Sequence, residues 1–279
     1  MSDVTDAPVQ PEANAQTRSS AHGSFIWYEL MTGDADAAGR FYSAIVPGWR
    51  LGERMPTGVD YRAIERSDGG NAGGVLQLDD SMRTHGARPM WLGYVAVDNV
   101  DDAVGSIVQA GGTALMTAFD VPNVGRIAMV ADPQGAPFYV MTPIPTEGRE
   151  NEPSDVFSPT QEQRIGWNEL STSDPAAARQ FYGEQLGWVS DDFMDMGEMG
   201  QYRFLDHRGL RIGALCGVMP GAQPKWRYYF RVPSIAAAKD IAEQNGGTIA
   251  MGPHQVPTGD WIVIGTDPQG AEFALVGGQ

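Results

Sequence analysis

The chain contains itself twice. Trp27-Tyr28-Glu29-Leu30, with Thr32 and Asp34 following, lines up with Trp167-Asn168-Glu169-Leu170, Thr172 and Asp174 at a spacing of 140 residues. Phe41-Tyr42 recurs as Phe181-Tyr182 at the same spacing, and Gly48-Trp49 recurs as Gly187-Trp188 with one residue slipped. Asp132-Pro133-Gln134-Gly135 recurs as Asp267-Pro268-Gln269-Gly270 at a spacing of 135. Matches this numerous and this well ordered exclude chance, and a repeat of this length means two like domains rather than one large one. The expected boundaries are a disordered tail over residues 1–23, a first domain over 24–145, a linker over 146–162 and a second domain over 163–279. Tail and linker are polar and lack apolar periodicity.

Each repeat divides again. An alternating strand over residues 25–31 would put Phe25, Trp27, Glu29 and Met31 on one face and Ile26, Tyr28 and Leu30 on the other. Asp34 then caps a helix with the apolar stripe Ala38, Phe41, Tyr42 and Ile45. In the second repeat Asp174 is the cap and Pro175 sits at the first helical position, where a missing N–H is harmless. Strands follow near 61–65 and 71–78, and near 202–206 and 209–218. The next quarter opens with a strand over 90–97 and a helix over 100–109, with Ala103, Val104, Ile107 and Val108 as its buried stripe. Gly111-Gly112 stops that helix. Strands over 112–116, 126–131 and 138–142 complete the repeat, the last two joined by the Asp-Pro-Gln-Gly turn. The final quarter copies this with a strand over 226–232, a helix over 235–244, and strands from 248, over 262–266 and over 273–276. The expected class is α+β, built from four strand–helix–strand–strand–strand (βαβββ) modules.

Composition narrows the function. With 19 basic against 35 acidic residues the formal charge is −16, which repels phosphate backbones and anionic lipid, so neither nucleic acid nor membrane is an expected partner. No apolar run reaches the length of a membrane span. The first residues lack the charged-then-apolar order of a signal peptide, and a single cysteine, Cys216, suits a reducing compartment. The expected location is cytoplasmic. Neither a Gly-x-Ser-x-Gly nucleophile turn nor a phosphate-cradling glycine loop is present. Cys216 lies in an apolar stretch and reads as buried and inert.

Four such modules in two pairs resemble the vicinal oxygen chelate superfamily, which includes glyoxalase I, extradiol dioxygenases and bleomycin-resistance proteins. The motifs that carry the resemblance are Asp34-x6-Phe41-Tyr42, Gly48-Trp49, Val97-Asp98-x12-Gly111-Gly112 and Asp132-Pro-Gln-Gly135, each with its partner in the second repeat. The chain resembles in particular the tandem two-domain glyoxalase-like proteins of bacteria. The resemblance implies two half-open barrel domains, each holding a ligand on a concave sheet face. It also implies positions for metal ligands. These fall on Trp27, Leu92 and Tyr139 in the first repeat and on Trp167, Arg227 and Ala274 in the second. None is a histidine or a carboxylate, and nearby strands add only Cys216, whereas a divalent site needs three or four converging donors. No metal and no other cofactor is expected at the usual site.

Glu29 and Glu169 lie two residues beyond the replaced ligand position, on the same strand face. A carboxylate inside an apolar barrel needs a partner or its pKa rises, and such a group suits general acid–base work or ligand orientation. Alternatively each glutamate bonds backbone amides or an arginine. Arg227, Tyr229 and Arg231 share a face that suits an anionic ligand in the second cavity, or that pairs Arg227 or Arg231 with Glu169. Trp27, Tyr94 and Tyr139 would make the first cavity aromatic and nearly neutral, or would be plain core. Three functions follow as expectations. The chain binds a small organic molecule without metal. It is a glyoxalase-like lyase or isomerase, or a hydroxylase-like enzyme, with Glu29 or Glu169 as base. Or it binds a partner protein and its cavities are vestigial. Oligomeric state is not legible in the sequence.

Overall fold

A computed structural model describes residues 21–56, 58–145, 152–219 and 221–279. The first repeat comprises β1 (Phe25–Thr32), α1 (Ala35–Ile45), β2 (Arg50–Arg54), β3 (Tyr61–Glu65), β4 (Asn71–Gln77), α2 (Asp80–Thr84), β5 (Met90–Ala96), α3 (Val100–Gln109), β6 (Thr113–Ala114), β7 (Phe119–Val121), β8 (Gly125–Ala131) and β9 (Pro137–Pro143). The second comprises β10 (Ile165–Thr172), α4 (Pro175–Leu186), β11 (Phe193–Asp195), β12 (Gln201–His207), β13 (Leu210–Gly217), β14 (Lys225–Val232), α5 (Ile235–Gln244), β15 (Thr248–Gln255), β16 (Trp261–Thr266) and β17 (Glu272–Gly277).

Each repeat makes one mixed, open sheet, so the α+β class and the paired modules hold. The orders are β2-β3-β4-β1-β5-β9-β8-β6, with β7 also on β8, and β11-β12-β13-β10-β14-β17-β16-β15. Two modules meet where β1 runs antiparallel to β5, and likewise β10 to β14. β1 and β10 each have a parallel neighbour on the other side, β4 and β13. The first strand of each repeat is therefore central, and its side chains reach both faces of the sheet.

The helices start where side-chain caps allow. Asp34 accepts from the Ala37 N–H, Asp174 from those of Ala176 and Ala177, Asn99 from those of Asp101 and Asp102, and Ser234 from that of Ala237. Each satisfies amide donors that the first turn leaves open. The stripe Ala38, Phe41, Tyr42 and Ile45 is buried. On α3 the expectation fails at Val108, which is 47% exposed. One residue past Ile107 rotates the side chain by roughly 100° and carries it off the packed face.

The helical faces of the two sheets share one core. Trp91 and Phe230, from β5 and β14, lie 4.7 Å apart between ring centroids, and Phe25 packs on Trp188 at 5.4 Å. Polar locks cross the same boundary. Tyr42 donates to Asp267 at 3.0 Å, and Tyr182 donates to Asp132 at 3.0 Å. Trp49 Nε1 donates to the Gln163 carbonyl at 2.8 Å and Trp188 Nε1 to the Gly23 carbonyl at 2.7 Å. The duplicated Phe-Tyr, Gly-Trp and Asp-Pro-Gln-Gly motifs are thus the contacts by which each repeat holds the other.

Other expectations are corrected. The alternation assigned to residues 25–31 breaks at a bulge between Phe25 and Trp27. The bulge turns Phe25 into the shared core and Ile26 to the opposite face, because an inserted residue reverses the side-chain order. The strand expected over 112–116 shrinks to β6, while β2, β7, β11 and α2 were not anticipated. Residues 1–20 of the expected tail lie outside the described residues, but His22 bonds the Gln185 carbonyl at 3.0 Å and Gly23 is buried. Of the expected linker, residues 146–151 lie outside the described residues; further along, Val156 is buried and Asp155 pairs with Arg66. No helix among the described residues is long and apolar enough to cross a membrane.

Candidate functional site

The sheet faces turned away from the helices each bury a glutamate. In the first repeat, Glu29 on β1 is 3% exposed. Tyr94 on β5 donates to its Oε2 at 2.8 Å. Tyr61 on β3 and Tyr139 on β9 also direct hydroxyls toward it, and Trp27 Nε1 donates to the Tyr61 hydroxyl at 2.7 Å. β3 and β9 lie two strands to either side of β1, so side chains from both can converge on Glu29 only if this face is concave. Tyr94 and Tyr139 stack at 4.2 Å, their Cα positions paired across β5 and β9.

Among the described residues no lysine or arginine pairs with Glu29, and its Oε1 is buried without a hydrogen bond of ordinary geometry. Burial pushes its pKa up from 4.5 to about 7, against the opposing pull of the tyrosine hydroxyls. Loss of hydration penalises the anion more than those donors repay it. Burial, and then the facing Glu29 carboxylate, also raise the pKa of Tyr94 and Tyr139, so these phenols stay protonated and act as donors.

The second repeat has the same frame with different chemistry. Trp167 Nε1 donates to Tyr202 at 2.8 Å, and Tyr202 donates to Glu169 at 2.8 Å, copying Trp27, Tyr61 and Glu29. Tyr229 adds a hydrogen bond at 3.2 Å. Here, however, Arg227 donates Nη1 to Glu169 at 2.5 Å and Nε to Glu272 at 2.9 Å, and Lys225 reaches Glu272 at 2.6 Å. Of the two roles open to the arginines, Arg227 takes the internal pair. Arg231 pairs with Asp260 at 2.5 Å, a partner that sequence reasoning missed. Ala274 stands where Tyr139 stands in the first repeat, so no second stacked phenol is present.

The two faces also differ in what surrounds the carboxylate. The cluster around Glu29 contains Met31 and Met141, with Met82, Met90, Met116 and Met129 packed against it. The cluster around Glu169 consists of Tyr229, Ile264, Ala274 and Val276 with Trp167 and Ile262, and has no methionine. Thioether side chains are flexible and repack readily, so the first face is packed with more adaptable side chains than the second.

The positions from which the fold family draws metal ligands do not fit a metal. Trp27 and Leu92 offer no donor of the right kind, Tyr139 is a protonated phenol stacked on Tyr94, and Arg227 is a cation locked between two carboxylates. Among the described residues no three His, Cys, Asp or Glu side chains converge. Burial raises the Cys216 thiol to about 11, which keeps it protonated.

Two family models match this architecture. One described as a glyoxalase-like domain covers residues 27–141, and one described as the glyoxalase/bleomycin resistance protein/dioxygenase superfamily covers residues 164–275. The anthracycline biosynthesis protein DnrV of Streptomyces peucetius is 30% identical over 268 residues, spanning 92% of this chain and 94% of its own length. CFP32 of Mycobacterium tuberculosis, named as a candidate glyoxylase, is 28% identical over 256 residues, covering 91% of this chain and 94% of its own. Among solved structures, the Mn(II)-bound glyoxalase of Novosphingobium aromaticivorans superposes with a TM-score of 0.60 at 16% identity, over 92% of this chain and 82% of that one. Homoprotocatechuate 2,3-dioxygenase of Arthrobacter globiformis gives 0.61 at 17%, over 91% and 79%; at such identities both speak for the fold alone. The chain belongs to the glyoxalase/bleomycin resistance protein/dioxygenase group, the vicinal oxygen chelate superfamily, as a tandem of two glyoxalase-like domains.

Proposed function

We propose that the first repeat binds a small, uncharged, hydroxylated aromatic molecule on the face around Glu29, without the family's usual metal. The observation that carries this reading is the contrast between the two glutamates. Glu169 has a cation, Arg227, within its hydrogen-bonding shell, whereas Glu29 is buried among phenols with one oxygen unpartnered. An unpartnered buried acceptor is destabilising, and a ligand hydroxyl would satisfy it. An anionic ligand would meet the carboxylate at close range with no cation to offset it. The stacked Tyr94–Tyr139 pair and Trp27 suit a flat ring, and the methionines suit a face that must open to admit one. The likeness to an anthracycline biosynthesis protein supports an aromatic ligand.

A second reading rests on the pKa of Glu29, raised to about 7. A carboxylate that titrates near neutrality is matched to general acid–base work, so Glu29 takes a proton from the bound hydroxyl or an adjacent carbon and returns it, as in a lyase or isomerase. Glu169 has the structural role.

Titration of tryptophan fluorescence with 1,8-dihydroxyanthraquinone tests the binding. Saturable quenching is expected in the parent chain and in Glu29→Gln, which keeps an acceptor, and its loss is expected in Glu29→Leu. Equal binding by the leucine variant overturns the proposal. If a turnover assay is found, Glu29→Gln abolishes turnover while binding persists.

A further inference from the structure

Two matching seams join the repeats, and each has a different buried basic side chain beside it. The segment leading into β10 lies against the first repeat, where Trp49 Nε1 donates to the Gln163 carbonyl at 2.8 Å. The segment leading into β1 lies against the second, where Trp188 Nε1 donates to the Gly23 carbonyl at 2.7 Å. The N–H groups of Gln163 and Gly23 bond the matching carbonyls of Arg231 and Ala96. Five residues past Tyr61 stands Arg66, and five past Tyr202 stands His207. Arg66 is buried and pairs with Asp155 on the incoming segment and with Asp68, so ion pairs lock that seam. His207 is 8% exposed, and neither ring nitrogen makes a hydrogen bond of ordinary geometry. Its ring packs on Gly23 so closely that a Cβ there would lie 2.8 Å from its Cε1.

We propose that His207 is an acid-sensitive latch on this seam: a proton gained by its imidazole releases residues 21–23 from the second repeat. An imidazolium is a cation with two N–H donors, and burying it unpaired is costly. Burial first, and then the positive charges of Arg208 and His22, lower the His207 pKa, while the carbonyls of Gly187 and His22 oppose this. The nearby carboxylates are committed elsewhere. Asp98 lies 3.4 Å from His22 Nδ1, Asp206 accepts from Arg211 at 3.0 Å, and Glu184 of α4 accepts from Gln180 at 2.9 Å. His22 and Gly23 are tied to their own repeat through Asp98 and the Ala96 carbonyl. The bonds that part are therefore the two to the second repeat, from Trp188 to Gly23 and between His22 and the Gln185 carbonyl. With the segment released, His207 reaches water and takes up a proton more readily. Docking is complete above the ordinary histidine pKa, about 6.5, and is lost as the pH falls below it. An arginine holds its proton throughout that range, so the Arg66 seam does not respond.

The test follows the full-length ¹⁵N-labelled chain by NMR from about pH 8 to about pH 5, the range in which a histidine titrates. The Trp188 indole N–H resonance is expected to move towards the position of a free indole, with the same midpoint as the His207 ring resonances. The Trp49 indole resonance, which reports the other seam, stays in place. His207→Phe, a ring with no proton to gain, is expected to abolish the movement, and His207→Gln does so if phenylalanine is not tolerated. Should neither variant fold, the midpoints in the parent chain decide the matter. A Trp188 resonance that does not move, that moves together with Trp49, that has a midpoint different from His207, or that still moves in a folded variant overturns the proposal.

Discussion

The Tyr42 hydroxyl donates to Oδ2 of Asp267 at 3.0 Å while accepting from Trp91 Nε1 at 2.9 Å. Tyr182 repeats this on Asp132 at 3.0 Å and Trp226 at 3.0 Å. Each tyrosine bridges a tryptophan of its own repeat to an aspartate of the other, and all six side chains are buried. Asp132 and Asp267 have their pKa values raised, burial being the chief cause, with backbone amides and the tyrosine opposing it.

Tyr42→Phe therefore leaves both an indole N–H and a carboxylate oxygen short of a partner. A loss of about 2–3 kcal/mol in unfolding free energy is expected for this variant and a similar one for Tyr182→Phe, since an unpartnered buried group costs about 1–3 kcal/mol. Urea denaturation followed by tryptophan fluorescence measures both. A change under half a kcal/mol, the scale of an ordinary surface substitution, would remove these pairs from the account of how the repeats are held together.

Gly93 marks where the two repeats cease to be equivalent. Its N–H donates a hydrogen bond to the Tyr228 hydroxyl at 2.8 Å, and a Cβ there would lie 2.8 Å from the Phe25 ring and 2.9 Å from that hydroxyl. Both neighbours are packed aromatic rings in the shared core, so neither gives way easily. Gly93→Ala is expected to lower stability by about 1–3 kcal/mol, as overpacking does. Thermal unfolding of the variant beside Gly105→Ala, where an added Cβ meets nothing within 4 Å, separates crowding from any effect of glycine itself.

Repeat, module order and helix caps were legible because they rest on local rules: spacing, an Asp before a helix, apolar residues at helical intervals. That Glu29 shares a strand face with Trp27 was legible from strand alternation for the same reason. What escaped was the part that depends on distant chain. Tyr61 and Tyr202 each bring a hydroxyl beside one of the two glutamates, yet both come from strands two positions away in the sheet. A tyrosine in a short β run carries no local mark of what it will face. The only available signal was that each stands at the same place in its repeat. Phe25 was misplaced because a bulge leaves no trace in an alternating pattern. The pairing of Arg231 with Asp260 needed a loop that periodicity does not position. The motifs common to the family were read as landmarks of a fold, while their role as contacts between the repeats appears only when both halves are seen together.

Arg227 tests the division of labour between the two glutamates. Its guanidinium holds Glu169 and Glu272 together, and its side chain is 16% exposed. Removing one member of such a pair strands the other, at about 3–5 kcal/mol when burial is complete and less where solvent reaches. Arg227→Met is expected to lose about 3 kcal/mol. Adding Glu169→Gln should restore most of it, because the neutral amide needs no counter-charge. A double variant no more stable than Arg227→Met would mean that the arginine acts through packing rather than through its charge.

The pH dependence of stability follows from Glu29. Its carboxyl titrates at 4.5 when free and near 7 in the folded chain. Between those values the unfolded chain has released a proton that the folded chain keeps, so stability falls as pH rises through that window. Below it the carboxyl is protonated in both states and the burial penalty vanishes; above it the anion is present in both and the penalty is complete. A separation of about 2.5 units corresponds to roughly 3 kcal/mol. Glu29→Gln carries no such proton. It should match the parent chain at pH 4 and exceed it progressively from pH 5 to pH 8, by up to about 3 kcal/mol. Chemical denaturation at fixed pH steps gives the difference curve, in which His207, Asp132 and the other titrating groups cancel because both proteins contain them. A flat difference would mean that Glu29 is already satisfied as an anion, by the tyrosines alone. The Glu29 face would then have lost the unmet acceptor on which a ligand is expected to bind.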